Sequence, residues 1–394
     1  MEKFAVGIIG AGPAGATLAH FLAKARIPHV LIDKATFPRD KICGDGITLD
    51  VVNVLKRISP ALLDQFVAEQ EVIPSWGFSF HAPNGREIRH DFKSDGFNYA
   101  PFYTARRLTL DDFLVKTLTE SYTAFRPQTT VKHLHYVDEG VQLHLQKHTG
   151  EEEELQVKYV IGAEGEKPVV SKHLGLKPYR HKDHLIGALR VYYRGVEGFH
   201  PHQHLEFFFD KRLIPGYFWA FPLSHGEANV GLGMVSREAS LKKANLKKLL
   251  REVIATNPTI APMFAQAEPI EKPVGWGLPT MTPARNIAGK RFALIGDAAG
   301  MIEPFTGKGI GPGMMSARIC SEHLISALSA NETSLQSYAA HMYRYYKSEA
   351  WWGYTFQKTL RYAPALNTLA RVHALGPFNR WAHQKMTREW QQWI

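Results

Sequence analysis

The sequence predicts an α/β protein. A Rossmann-like α/β domain is assembled from separated segments, a mostly antiparallel β-sheet domain is inserted into it, and a helical region follows at the C-terminus. Three observations predict this. An apolar strand, a glycine-rich turn and a helix open the chain in "FAVGIIGAGPAGA". Blocks of period-two alternation interrupt the α/β pattern. A second glycine-rich turn with an apolar strand before it and a helix after it, "FALIGDAAGMIEPFTGKGIGPGMM", spans Phe292 to Met315.

Residues 4–34 read as a βαβ unit. "FAVGII" is a continuous apolar run, as a strand buried on both faces requires. Ala14 to Ala25 predicts a helix rich in Ala and Leu, and "HVLID" predicts the second strand. "PRDKICGDGIT" (38–48) is a loop, and 49–70 reads as helix. "WGFSFHAPNGREIRHDF" (76–92) alternates around Asn84-Gly85, a hairpin signal. Residues 108–121 return to helix. "VKHLHYVDEGVQLHLQ" and "EEEELQVKYVIGAEG" alternate as antiparallel strands, with a turn at Gly150. Alternation dominates 185–236, a helix is expected over 240–256, and a long helix follows the second glycine stretch to about 328. The expected domains are 1–75, 105–180 and 275–330 for the nucleotide, 76–104 and 181–274 for the sheet, and 331–394 for the helical region.

Composition narrows the function classes. The 394 residues are 45% hydrophobic and 21% charged, ordinary for a folded soluble protein. Two cysteines, Cys43 and Cys320, exclude a disulfide framework or a cysteine-rich zinc site. The formal net charge of +10 favours anionic partners such as nucleotides or lipid headgroups. No recognised nucleic-acid module accompanies it, so nucleic acid is not expected as a partner. The 19 histidines show no HExxH spacing, and no metal is expected. Neither a signal peptide nor a spanning apolar run is read, so a cytoplasmic protein is expected.

Gly10-x-Gly12-x-x-Gly15 directly follows the first strand and opens the first helix. Gly10 suits the tight turn, Gly12 lets backbone approach a pyrophosphate, and Gly15 lets helix and strand pack closely. Pro13 and Ala14 begin the helix, whose free N–H groups suit phosphate. Asp33, with Lys34 beside it, ends the second strand about twenty residues on, where a ribose acceptor is expected. Arg107 in "RRLTLDDFL" and Gly296-Asp297 at a strand end favour FAD over NAD. Asp297 can accept a ribityl or ribose hydroxyl, and the glycines after it let backbone N–H groups face a ring or phosphate.

These motifs, with "IGAEG", occur in the order seen in the para-hydroxybenzoate hydroxylase-like (group A) flavoproteins. Within that superfamily, "FPRDKICGDGIT" and "GYFWAFPLSHGEANVGLG" most resemble the geranylgeranyl reductase family. The second stretch is similar to that family's Tyr-x-Trp-x-Phe-Pro pattern, carried here by Tyr217, Trp219, Phe221 and Pro222, with Gly231 and Gly233 after it. The resemblance spans about residues 4–330. It implies an FAD-binding domain of this type in which Gly10, Gly12, Gly15, Asp33, Arg107 and Asp297 contact FAD. It also implies a loop with Lys41, Cys43 and Gly44 near the isoalloxazine, and reduction of isolated C=C bonds in polyprenyl chains. Two departures stand out. Glu164-Gly165 replaces Asp-Gly, and Lys308 stands where the family often has an acid.

Reduced flavin donates hydride, and the protein positions substrate and tunes charge. Pro304 and the stretch Gly307–Gly309–Ile310 lead into a helix whose N–H groups suit negative charge. Cys43 could deliver the proton that alkene reduction needs, or serve as small filler. Tyr217, Trp219 and Phe221 share one strand face, as a tunnel lining for an apolar isoprenoid-like substrate or as core. Electrons would come from NAD(P)H or a reduced redox protein. The tail holds five of eight tryptophans among Lys and Arg, a composition that suits a cap over an apolar pocket or peripheral contact with the inner membrane face. The alternative activity is an FAD-dependent monooxygenase of an aromatic or polyene substrate. A halogenase is disfavoured because Trp-x-Trp-x-Ile-Pro is absent.

Overall fold

A computed structural model describes residues 1–176, 181–283, 285–359, 361–373 and 376–391. The strand Glu2–Ile9 lies at the centre of one of two eight-stranded sheets, the α/β one. It pairs in parallel with His29–Ile32 on one side and Glu152–Gly162 on the other. Thr123–Arg126 and Phe292–Leu294 extend the sheet in parallel beyond these. Val6, Ile8, Val30, Leu31, Val160 and Ile161 are fully buried, which explains why these strands lack alternation. The hairpin Thr129–Val137/Gly140–Lys147 joins antiparallel to Glu152–Gly162.

The inserted sheet runs Glu268–Pro269, Leu185–Arg194, Glu227–Val235, Tyr217–Leu223, Leu205–Phe208, Gly77–His81, Glu87–Asp91. All its pairings are antiparallel except Leu205–Phe208 with Gly77–His81. Asn84-Gly85 turns the hairpin, with Gly85 at φ +79°. Val274–Pro279 straddles the expected boundary at 275 and pairs with Leu185–Arg190. Its Trp276 and Leu278 alternate with glycines, a period-two pattern that continues the sheet. A third, small sheet of Gly46–Ile47, Phe102–Thr104 and Ile73–Ser75 sits between the two larger ones.

Two expected helices are each split in two. The helix over 49–70 breaks into Leu49–Ile58 and Pro60–Glu69, because Pro60 forces Ser59 into an extended conformation. The helix over 240–256 becomes Ser236–Leu241 and Leu246–Thr256, and the Asn245 side chain caps the second by accepting from Lys248 N–H at 3.0 Å. The long helix runs Ile310–Ser329 and packs on the first helix, Pro13–Lys24. Three helices follow: Gln336–Thr359, Ala363–His373 and Gly376–Gln391. The first is tied to the glycine-rich segment by Tyr338 to Leu294 O (2.9 Å) and Gln357 to Pro304 O (2.9 Å). The other two rest on the inserted sheet, where Leu366 meets Phe209 and Ile214, and Trp390 meets Phe92 and Phe102.

Candidate active site

One cavity of about 1210 Å³ runs between the two large sheets. That exceeds the usual size of a single-ligand pocket, about 300–1,000 Å³. One end is polar and backbone-lined, and the other is aromatic. Of the residues named from the sequence as cofactor, substrate or catalytic candidates, all but Gly15 line it. Gly15 acts by packing: a Cβ there would sit 1.8 Å from Gly10 O. Gly10 itself has φ +103°, and its Cβ would meet Ala163 O at 2.4 Å, so the turn tolerates no side chain.

At the polar end Asp33 braces the turn and lines the cavity. Its Oδ2 accepts from Ala11 N–H at 2.7 Å and its Oδ1 from Ala35 N–H at 2.8 Å. The guanidinium groups of Arg39 and Arg107 flank Gly12, 3.4 and 3.9 Å from the position of a Cβ. Both pair with the one buried carboxylate of Asp111: Arg107 at 2.7 and 2.8 Å, Arg39 at 2.9 Å. Two cations share one anion, which leaves net positive charge above a helix N-terminus that lacks a side-chain cap. That arrangement suits a pyrophosphate.

In the middle of the cavity, Lys41 Nζ lies 3.4 Å from Asp297 Oδ2 and 5.2 Å from the centre of the Trp276 ring. The helix Ile310–Ser329 begins here at Gly309, also without a side-chain cap. Glu303 accepts from Phe305 N–H (2.8 Å), Thr306 N–H (2.5 Å) and Thr306 Oγ1 (2.5 Å), and this fixes the turn before that helix.

At the aromatic end Tyr217, Trp219 and Phe221 all face the cavity, together with Phe78, Phe207, Met386 and Trp390. Tyr217 Oη donates to Thr306 O and so ties this strand to the glycine-rich turn. Trp219 Nε1 donates to Asn229 Oδ1 at 2.8 Å. Asn229 Nδ2 in turn donates to Cys43 O and to Asp45 Oδ2, both at 2.8 Å. Tyr192 Oη adds a 2.7 Å bond to the same Asp45 oxygen. The Cys43 loop is thereby locked to the aromatic strand. Burial pushes the Cys43 thiol up, while the nearby Arg107 guanidinium pulls it down less strongly. Burial also pushes the Asp45 carboxyl up to about 6, against the pull of the Tyr192 and Asn229 donors.

Residues 3–347 match the family described as an FAD binding domain. The chain belongs to that family. It is also 29% identical over 365 residues to digeranylgeranylglycerophospholipid reductase 2 of Methanopyrus kandleri, covering 92% of this chain and 85% of that protein. Menaquinone reductase of Mycobacterium tuberculosis is 29% identical over 326 residues, 82% of this chain and 76% of that one. A geranylgeranyl bacteriochlorophyll reductase-like protein from Thermoplasma acidophilum superposes with a TM-score of 0.82 at 22% identity, covering 94% and 91% of the two chains. The resemblance read from the motifs is thus borne out, as are the fold class and the FAD cofactor.

Among FAD-binding relatives Glu164 and Lys308 were the two departures, and both have a local explanation. Glu164 Oε1 accepts from Val169 N–H (2.8 Å) and Val170 N–H (3.0 Å), at the start of the short helix Val170–His173. Its Oε2 is buried with no hydrogen-bond partner among the described residues, and burial pushes the carboxyl up to about 7. Lys308 neither stands free in solvent nor acts alone. It pairs with Glu349 at 2.8 Å and Asp50 at 3.6 Å. Burial works to lower its ammonium, but these acids outweigh it and hold it up. Lys308 therefore clamps the helix Gln336–Thr359 against the glycine-rich segment.

Sequence reasoning missed Arg39, Asp45, Arg190, Tyr192 and Asn229. Arg190 is buried, binds Asp40 (2.8 Å) and Glu271 (2.9 Å), and stacks 3.9 Å over Tyr192. Asp45 and Asn229 stood inside the quoted family stretches, and a buried acid beside a loop cysteine was the available signal. Arg190 lies in an alternating strand with nothing local to mark it.

Proposed function

We propose that this chain is an FAD-dependent reductase of C=C bonds in an isoprenoid lipid. The observation that carries the reading is continuity: a cationic, backbone-lined pyrophosphate site opens into an aromatic chamber within one cavity. The similarity to reductases of a digeranylgeranyl phospholipid and of menaquinone supports a prenyl chain as the substrate class.

FAD supplies hydride when reduced. The residues present fit it. Gly10 and Gly12, with Pro13 and Ala14 at the helix start and Arg39 and Arg107 above, would hold its pyrophosphate. Asp33 with Lys34 would hold the ribose. Gly165, Gly296, Asp297, Pro304, Gly307, Gly309 and Ile310 would line its remaining length, with Glu164 shaping the wall behind. Tyr217, Trp219 and Phe221 bind the prenyl chain and exclude water. Cys43 Sγ gives its proton to the second alkene carbon. Burial keeps that thiol protonated at rest, and Arg107 would pair with the thiolate left behind. Lys41 and Gly44 shape the same wall.

The lipid enters beside the C-terminal helices. Trp352 and Phe356 line the cavity and are also 53% and 43% exposed. Trp351, Tyr362 and Trp381 are exposed nearby in sequence, interleaved with Lys358, Arg361 and Lys385. Such a surface suits peripheral contact with an anionic bilayer. Trp393 lies outside the described residues. Among the described residues no helix is long and apolar enough to cross a membrane.

The test is anaerobic. Holoprotein reduced by light is mixed with a digeranylgeranyl phospholipid, which has no quinone ring to take the electrons. Reoxidation of the flavin without oxygen supports the reductase. Reoxidation by oxygen alone, with lipid-stimulated oxygen uptake, supports the monooxygenase instead.

A further inference from the structure

The inserted sheet has two faces. Phe78, Phe80, Leu205 and Phe207 line the cavity. The residues alternating with them face away from it, and there the chain gathers histidine and acid. In register, Leu205 pairs with Phe78, and Gly77 pairs with Asp91. His204 therefore stands in the row of Gly77 and Asp91, across three strands. Gly77 is the gap between them: a Cβ there would lie 2.7 Å from His204 Nε2. His204 Nε2 and Asp91 Oδ2 are 3.5 Å apart over that gap.

The loop "HPHQH" brings two more imidazoles. His202 Nδ1 lies 2.6 Å and His200 Nε2 3.9 Å from the same Asp91 oxygen. The His200 and His204 rings stack with centroids 3.8 Å apart. One donor atom from each of the four residues falls within 4.8 Å of all the others. His204 is fully buried, and among the described residues its Nε2 has no hydrogen-bond partner. Its Nδ1 sits 3.3 Å from Ser79 Oγ, a contact that orients the ring and leaves the Nε2 lone pair aimed at the cluster.

We propose that Asp91, His202 and His204, with His200 as the fourth donor, bind one divalent transition-metal ion of the zinc type. A tetrahedral zinc site with bonds of about 2.0–2.1 Å spaces its donors about 3.3 Å apart. The separations of 3.5 and 3.9 Å need only to contract slightly, and the 2.6 Å contact needs to open. His200 is the weakest donor: its Nδ1 accepts from His202 N–H at 3.2 Å, a bond given up when Nε2 ligates. The ion staples the edge strand Glu87–Asp91 to the loop entering Leu205–Phe208, behind the aromatic wall. The neighbouring group His81, Glu87 and Glu206 is already paired, His81 with Glu206 (2.8 Å) and Glu87 with Arg89 (2.6 Å). A metal was not expected from sequence because HExxH is absent. A turn brings the three histidines together, with Gln203 N–H donating to His200 O at 2.8 Å and Gln203 at φ +55°.

The experiment uses FAD-loaded full-length protein stripped with a chelator. Zinc uptake is measured by competition with a chromogenic chelator, and thermal unfolding is followed with and without zinc. The wild type takes up one tight equivalent and melts higher with zinc. H202Q, at a half-exposed position, and D91N each weaken uptake at least tenfold while keeping bound flavin, and H81Q leaves it unchanged. Absence of a saturable equivalent in the wild type, or equal uptake by H202Q and D91N, overturns the site. Loss in H81Q with retention in H202Q overturns it too.

Discussion

The two ends of the cavity are built in opposite ways. The polar end comes from short local stretches: Gly10–Ala14, Asp33–Ala35, Arg39 and Arg107. Backbone conformation and charge do most of the binding there, and few side chains could be exchanged. The aromatic end is assembled from distant segments, with Phe78, Phe207, Tyr217 to Phe221, and Met386 and Trp390 from the last helix. Its shape depends on long-range packing and on the Trp219–Asn229–Cys43 chain of hydrogen bonds. A fold of this kind can keep one cofactor while its substrate chamber varies.

Substitutions at the two ends should therefore fail differently. The largest effect is expected at the turn. Gly10→Ala places a side chain at φ +103° against Ala163 O, and overpacking of this kind costs about 1–3 kcal/mol or more. The protein should purify colourless and melt lower, as absorbance and thermal scans would read. Next comes the boundary between the ends. Cys43→Ala should keep a full flavin spectrum and yet lose about 10²–10⁴-fold in lipid turnover, the usual range for a positioned proton donor. Equal turnover would remove Cys43 from the chemistry. Trp390→Ala should raise the KM for lipid about tenfold with flavin content unchanged, because the ring packs 4.8 Å from Phe92 and 5.4 Å from Phe102 at the far wall. A loss of flavin in that variant would show that the ends are coupled.

The smallest effect is a pH dependence. Asp45 has its carboxyl pushed up to about 6 in the fold from an ordinary value of 3.8. A raised carboxyl contributes stability that is full below about 4 and is lost as pH rises through about 6. Asp45→Asn keeps a left-handed residue that tolerates φ +61° and removes this titration. Its melting temperature relative to wild type should climb between pH 4 and pH 6.5. A constant offset across that window would contradict the assignment.

The polar end was legible because its requirements are local. A strand, three spaced glycines and an acid at the next strand end carry the site in 24 consecutive residues, Gly10 to Asp33. The aromatic strand was legible through period two, and the structure turns Tyr217, Trp219 and Phe221 to the cavity. What stayed hidden depended on partners far along the chain. Lys308 could be read as a flavin neighbour or a solvent charge until Glu349 was seen to meet it. Arg39 needed Asp111, and Asn229 needed Cys43 and Asp45, each separated by many residues. Helix breaks at Ser59 and near Asn245 were locally encoded but read too coarsely.

The central claim is that one cavity joins a flavin to a prenyl chain for reduction. Mass spectrometry of a digeranylgeranyl phospholipid incubated with the reduced holoprotein tests it most directly. The account predicts products heavier by two hydrogens per bond reduced, absent with Cys43→Ala. Products heavier by one oxygen, or unchanged lipid in the presence of fully reduced flavin, would contradict it.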